Sequence, residues 1–83
     1  MEISVFGAPT CARCKDVINF LHEKDVGYEY KVIGEDVDHE YVNNTVGRMV
    51  RSVPVIMVDG DELSFDKLKE KVNSVDMLNL LEL

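Results

Sequence analysis

Residues 3–15, Ile-Ser-Val-Phe-Gly-Ala-Pro-Thr-Cys-Ala-Arg-Cys-Lys, decide the fold, because a short β-forming run leads directly into two cysteines three positions apart. Residues 3–6 favour a strand, which Gly-Ala-Pro at residues 7–9 brings to an end. After residue 10 the apolar residues recur at helical spacing, so the cysteines lie where a strand becomes a helix. We expect Thr10 to cap this helix and Gly27 to end it.

The remainder of the chain continues to alternate between strand and helix signals. Residues 28–32 alternate as a strand does, and residues 36–38 offer the start of a second helix. We expect four apolar residues to form its buried stripe: Val42, Val46, Met49 and Val50. Asp59-Gly60 is a strong hairpin signal between two further strands. The predicted order is β-α-β-α-β-β-α, an α/β fold with a four-stranded mixed sheet and helices on its faces.

The C-terminal part of the sequence is predicted to be helical. Ser64 can cap a third helix, and we expect a break at Asn73 and Ser74, with residues 73–83 forming a helical extension. The apolar residues at positions 77–83 either cover the sheet or, if exposed, form a dimer contact. We expect residues 1–83 to form a single domain that acts as a monomer.

Composition and charge exclude several classes of protein. The 83 residues are 46% hydrophobic and carry a net charge of −7, which argues against a disordered chain and against a nucleic-acid partner. The longest apolar run, residues 53–58, is far shorter than the roughly 20 residues of a membrane span. The N-terminus lacks the basic and apolar regions of a signal peptide. A soluble cytoplasmic protein with no membrane partner is expected.

The two cysteines have the spacing of a dithiol redox motif. Residues i and i+3 in the first turn of a helix share one face, so the sulfur atoms of Cys11 and Cys14 can bond. Cys11 lies at the positive end of the helix, with Arg13 and Lys15 close by, and these charges favour its thiolate. Cys14 is one turn deeper, in line with apolar residues. We therefore expect Cys11 to attack a disulfide and Cys14 to resolve the mixed disulfide.

Apart from redox chemistry, a cysteine pair can hold a metal or form a structural disulfide. A structural zinc site needs about four ligands, and the chain offers two cysteines with His22 and His39 far apart in sequence, so no metal site is expected. A disulfide that closes so short a loop stabilises little. Two alternatives stay open: a metal or iron–sulfur cluster held through Cys11 in a dimer, and a non-catalytic interaction domain. Absorption spectroscopy and a disulfide-reduction assay distinguish them.

Two motifs at a characteristic separation make the sequence resemble a glutaredoxin over residues 1–72. The first is the strand that leads into Cys11-Ala-Arg-Cys14, and the second is Arg51-Ser-Val-Pro54 before an apolar strand. The resemblance implies a thioredoxin fold without a bound cofactor, which reduces protein disulfides or glutathione mixed disulfides, with glutathione as reductant. It also implies that Pro54 is cis and that the backbone of Val53 binds an extended thiol substrate.

Three departures from the glutaredoxin pattern concern glutathione. Ala8 stands where the family often has lysine, and Arg13 where it often has tyrosine. Residues 63–66, Leu-Ser-Phe-Asp, replace a Gly-Gly-x-Asp loop that lets a ligand approach the backbone. Arg13, Arg51 and Asp66 remain candidates for contacts with glutathione. With these departures the sequence also resembles the small glutaredoxin-like redoxins that thioredoxin reductase reduces and that serve ribonucleotide reductase. Either glutathione or thioredoxin reductase is therefore compatible with the sequence as electron donor.

Overall fold

The computed structural model describes the backbone of residues 2–82 and the side chains of residues 2–74. The elements follow the predicted order: β1 (Ile3–Gly7), α1 (Ala12–Glu23), β2 (Glu29–Val32), α2 (His39–Val46), β3 (Val55–Val58), β4 (Asp61–Leu63) and α3 (Phe65–Glu82). Within the described residues, no helix combines the length and apolar character that crossing a membrane requires.

The four strands form one mixed sheet in the order β2-β1-β3-β4, which confirms the predicted architecture. β1 runs parallel to β2 and antiparallel to β3, while β3 and β4 form an antiparallel hairpin. Asp59 and Gly60 turn the hairpin with φ of 51° and 89°, the left-handed pair that a two-residue hairpin turn requires. β1 therefore lies inside the sheet, and β2 and β4 form its two edges.

Alternation along β1 divides the core into two clusters. Ile3 and Val5 pack with residues of α1 and α3 on one face, and Phe6 packs with Val42 of α2 on the other. Because side chains along a strand alternate between the faces, Gly7 shares the face of Val5 and lies beneath α1. The absence of a side chain at this position shapes the site described below.

The two ends of α1 differ from expectation. Cys11, not Thr10, caps the helix: its Sγ accepts a hydrogen bond from the N–H of Cys14. The helix ends at the C-cap Lys24, and the left-handed residue that follows is Asp25, with φ of 55°. Gly27 therefore does not end the helix. Aspartate adopts left-handed φ more readily than most residues, which explains the earlier stop.

The predicted stripe of α2 is wrong at one position. α2 ends at Val46 because Gly47 takes a left-handed C-cap conformation, with φ of 85°. The chain turns there, so Met49 lies beyond the helix and is 64% exposed, whereas Val50 folds back and is buried. Ending the helix early thus frees residues 48–53 to form a loop beside the cysteines.

The third helix begins as predicted and continues further than predicted. Ser64 Oγ accepts a hydrogen bond from the N–H of Lys67, so it caps α3. The helix then passes through Asn73 and Ser74 without the expected break. The alternative of a dimer contact at positions 77–83 concerns side chains outside the described residues.

Candidate active site

The two cysteines form a disulfide at the start of α1, with their Cα atoms 5.3 Å apart. Cys11 is half-buried, whereas Cys14 is 1% exposed and packs in line with Val17 and Leu21. The N–H of Cys14 points at Cys11 Sγ, 3.1 Å away. Unpaired N–H groups at a helix start favour an anion. Once the bond is reduced, the same N–H is placed to stabilise a thiolate on Cys11.

Gly7 lets two side chains approach β1 closely. A Cβ atom at this position would lie 2.6 Å from the hydroxyl oxygen of Tyr30 and 2.7 Å from Cys14 Sγ. Real Cβ atoms do not make such short contacts, so a side chain at residue 7 would force Tyr30 or Cys14 to shift. The tyrosine hydroxyl and the buried sulfur are consequently neighbours above the end of β1.

The carbonyl oxygen of Ala8 joins this neighbourhood to the loop before α1. It accepts hydrogen bonds from the hydroxyl of Tyr30 and from the N–H of Cys11, each at 3.3 Å. Tyr30 lies opposite Val5 in the parallel β1–β2 pairing, so the sheet register carries its ring to the cysteines. Tyr30 was not predicted to be a site residue, because its contacts depend on this long-range register.

An open, largely apolar groove of about 540 Å³ lies beside the cysteine pair. Its lining comes from the end of β1 and the residue after it, from the residue after β2, from the start of α2 and from the loop after α2: Gly7, Ala8, Ile33, His39, Met49, Val50, Arg51, Ser52 and Val53. Ala8 connects the groove to Cys11 through the hydrogen bond above.

The groove brings together some of the predicted substrate-binding residues and not others. Arg51 and Val53 line it, and the Val53–Pro54 peptide bond is cis, as the resemblance implied. Arg13 in the first turn of α1 and Asp66 in the first turn of α3 are both exposed and do not line this groove.

Two groove residues were missed by the sequence analysis. His39, considered above only as a metal ligand, lines the groove, and its Nε2 atom lies 2.7 Å from the carbonyl oxygen of Val50. Met49, assigned to the core of the second helix, lines the groove instead. The sequence does carry one signal for Met49: Gly47 marks a helix end just before it.

Arg48 holds the loop of residues 48–53 to the edge of the sheet. Its Nε donates to the Glu62 carboxylate at 2.8 Å, and Nη1 donates to the carbonyl oxygen of Met49 at 3.1 Å. The hydrogen bond from Arg48 lowers the pKa of Glu62, and the same contact raises the pKa of Arg48. The pair thereby connects β4 to the groove loop.

The Arg48–Glu62 contact predicts a small pH dependence of stability. Because the folded-state pKa of Glu62 is lowered, its stabilising contribution is present above the ordinary carboxyl pKa of about 4.3 and is lost as the pH falls through the folded-state pKa. We expect Glu62→Gln to lower the urea midpoint slightly at neutral pH, since both groups are exposed, and the difference from wild type to disappear in acid.

Glu70→Gln is the matched control for that prediction. Glu70 forms an exposed ion pair with Lys67 at 3.6 Å, within one helix and away from the groove loop. A neutral-pH loss as large for Glu70→Gln as for Glu62→Gln would show that the contact with Arg48 has no special role.

Among the described residues, no group of three or more His, Cys, Asp or Glu side chains is placed to hold a metal ion. The described residues instead form a pair of cysteines with unequal exposure at the start of a helix, next to a groove. Such an arrangement supports transfer of two electrons between the pair and a disulfide.

Comparisons with known proteins agree with this arrangement. No curated protein matches the chain by sequence. Glutaredoxin 1 from Francisella tularensis, solved with cacodylate, shares the fold with a TM-score of 0.66 at 18% identity, over 94% of this chain and 96% of that one. The reduced glutaredoxin of Escherichia coli is 27% identical, with a TM-score of 0.63, over 89% of this chain and 95% of that one. A thioredoxin-like protein is 25% identical, with a TM-score of 0.67, over 82% of this chain and 96% of that one.

The sequence profile of one family, Glutaredoxin, matches residues 3–63, which include the cysteine pair, the cis-proline turn and all four strands. Family membership together with the Cys11–Cys14 pair indicates thiol–disulfide oxidoreductase activity. The chain belongs to the glutaredoxin family.

Proposed function

We propose that this protein reduces disulfides in partner proteins by a dithiol mechanism, with Cys11 attacking and Cys14 resolving. The difference in exposure between the two sulfurs carries the proposal: Cys11 is half-buried beside the groove, and Cys14 is 1% exposed beneath it. A protein disulfide can reach only the first. The helix start, through the N–H of Cys14, supports the negative charge of the attacking sulfur.

The two-step cycle conserves atoms and electrons. The Cys11 thiolate forms a bond with one sulfur of the target disulfide, and the other target sulfur leaves with the electron pair and takes up a proton. Cys14 then displaces the first target sulfur from Cys11 and forms the intramolecular disulfide seen here. The target gains two electrons and two protons, and the cysteine pair must then be reduced by a further dithiol or thiol donor.

Glutathione is one candidate for that donor, and the structure supports weak binding of it. Arg51 and Val53 line the groove and can contact an extended tripeptide. At Ala8 the groove has no cationic side chain. Residues 64 and 65 belong to the segment that replaces the Gly-Gly-x-Asp loop, and both are already engaged: Ser64 caps α3, and the Phe65 ring packs edge-on against Phe20 at 5.8 Å.

Restoring a cation at position 8 is expected to improve the use of glutathione. Ala8→Lys adds an ammonium group to the groove beside Cys11. A hydrogen bond to a charged group contributes about 1.5–3 kcal/mol, so activity with a glutathione mixed disulfide should rise roughly tenfold to a hundredfold. The measurement is the rate of deglutathionylation with glutathione and glutathione reductase.

Ala8→Met is the matched control, since it adds comparable bulk without charge. It should leave the rate near that of wild type. Efficient glutathione-dependent turnover by the wild-type protein, unchanged in Ala8→Lys, would contradict weak glutathione binding and would favour an ordinary glutathione-dependent glutaredoxin.

Thioredoxin reductase is the second candidate donor, and the same two departures favour it. The groove has no cation at position 8, and the residue 64–65 segment, which does not line the groove, already packs through Phe65 against Phe20. These features favour docking of a protein surface over binding of a small anionic tripeptide. Ribonucleotide reductase is the corresponding candidate target. Turnover measured side by side with each donor separates the two. A cytoplasmic location is part of this proposal, because cycling thiols need a reducing compartment.

A further inference from the structure

The hydroxyl of Tyr30 is placed beside the buried half of the cysteine pair. A Cβ atom built on Gly7 would lie 2.6 Å from the Tyr30 hydroxyl oxygen and 2.7 Å from Cys14 Sγ. The hydroxyl and the sulfur therefore share the space that a side chain at residue 7 would fill. Cys14 is 1% exposed, and solvent therefore does not hydrate its sulfur. The tyrosine hydroxyl, which donates to the carbonyl oxygen of Ala8, is thus a polar group close to the buried sulfur.

Burial makes the resolving step difficult. A thiol in apolar surroundings gives up its proton reluctantly, because the thiolate loses its hydration. Cys14 packs in line with Val17 and Leu21, which offer no hydrogen bond. A thiolate forming there needs a donor from the protein itself.

Tyr30 has the means to act as that donor. Its O–H donates to the carbonyl oxygen of Ala8 at 3.3 Å, a long bond to an acceptor that also receives the N–H of Cys11. Because Ala8 keeps the second donor, the tyrosine proton can turn toward a charge on Cys14 without leaving that carbonyl unpaired. Hydrogen bonds to charged acceptors are the stronger ones.

We propose that Tyr30 is a positioning residue for the resolving step, which holds Cys14 against β1 and donates a hydrogen bond to its sulfur as charge develops there. The inference rests on the proposed roles of the two cysteines. In the step itself, the Cys11–substrate bond breaks as the Cys11–Cys14 bond forms. The electron pair leaves on the substrate sulfur, which also receives the proton that Cys14 loses. Tyr30 keeps its own proton throughout.

Ellman's reagent tests the role of Tyr30, because the attacking step and the resolving step each give a separate absorbance signal in one trace. Attack by Cys11 on the reagent releases one coloured aromatic thiolate, and resolution by Cys14 releases the second. In a stopped-flow experiment, Tyr30→Phe should leave the first release within about twofold of wild type and slow the second about tenfold, the loss of one hydrogen bond to a charged group. The ring is retained, so the packing around Gly7 is preserved.

Tyr28→Phe is the matched control. Tyr28 lies two residues away, and its hydroxyl bonds to Nε2 of His22 at 2.7 Å, away from the cysteines. Both releases should keep their wild-type rates in this variant. An unchanged second release in Tyr30→Phe, or equal slowing of both releases, would overturn the assignment to Cys14. Cys11→Ser tests the underlying roles separately, since it should lose the fast first release.

A titration distinguishes hydrogen bonding from loosened packing. In the Cys11→Ser background, the ¹³Cβ shift of Cys14 reports its ionisation. Adding Tyr30→Phe should raise the pKa of Cys14, because a donor to the thiolate is lost. If Tyr30 only fills space, water enters and the pKa of Cys14 falls or stays constant, which contradicts the proposal.

Discussion

Replacing Cys11 with serine is expected to reduce the rate of protein disulfide reduction to the uncatalysed background. The variant keeps only Cys14, which is 1% exposed and cannot reach a target disulfide. Reduction of insulin with a dithiol donor measures the loss. Cys14→Ser, in contrast, should still attack and then accumulate as a mixed disulfide with its target, because no second sulfur releases it.

Non-reducing electrophoresis shows which variant accumulates. The Cys14→Ser adduct should run at higher mass and disappear after treatment with excess dithiol. Both serine variants lack the disulfide, so each is the control for the other with respect to stability. Turnover by Cys11→Ser, or adducts formed by Cys11→Ser alone, would reverse the roles assigned to the two sulfurs.

Replacing Gly7 with alanine is expected to destabilise the fold by about 1–3 kcal/mol, the usual cost of overpacking a filled site. The added methyl group would lie 2.7 Å from Cys14 Sγ and 2.6 Å from the Tyr30 hydroxyl oxygen, so one of these side chains must shift. Urea unfolding of the reduced proteins measures the loss. The same displacement should slow the resolving step.

Gly27→Ala provides the control for glycine replacement as such. A Cβ at residue 27 would meet nothing within 4 Å. We expect no loss there, and a gain of about 0.4–1 kcal/mol if the unfolded chain becomes less flexible. Equal stability of Gly7→Ala and wild type would show that Tyr30 and Cys14 have room to spare.

The turns and helix caps that depend only on neighbouring residues could be predicted from the sequence. Asp59-Gly60 turns the hairpin as expected, because two left-handed residues suffice for that turn. Ser64 caps α3 for the same local reason. The failures at the ends of α1 are also local. Cys11 and Cys14 have the spacing of a cap and its N3 residue, so the redox motif itself displaces Thr10 as the cap.

The remaining site residues depend on contacts that are distant in sequence. Tyr30 reaches the cysteines only because β2 pairs with β1 in one register, Val5 opposite Tyr30. His39 joins the groove because Val50 folds back onto the start of α2. Neither contact has a periodic pattern in the sequence. The residues themselves predicted the cysteine pair, and the resemblance to glutaredoxins implied the proline turn with Arg51 and Val53, but nothing indicated Tyr30 or His39.

The two edge strands have a consequence for the behaviour of many copies together. An unpaired edge is a template on which another chain can add a strand. β4 is only three residues long and presents Asp61 and Glu62, while β2 carries an ion pair between Lys31 and Glu29 at 3.7 Å. A second sheet that approached either edge would have to desolvate these charges, and the net charge of −7 repels it beforehand. We therefore expect the edge charges and the net charge to disfavour pairing of sheets between copies and growth of a fibril.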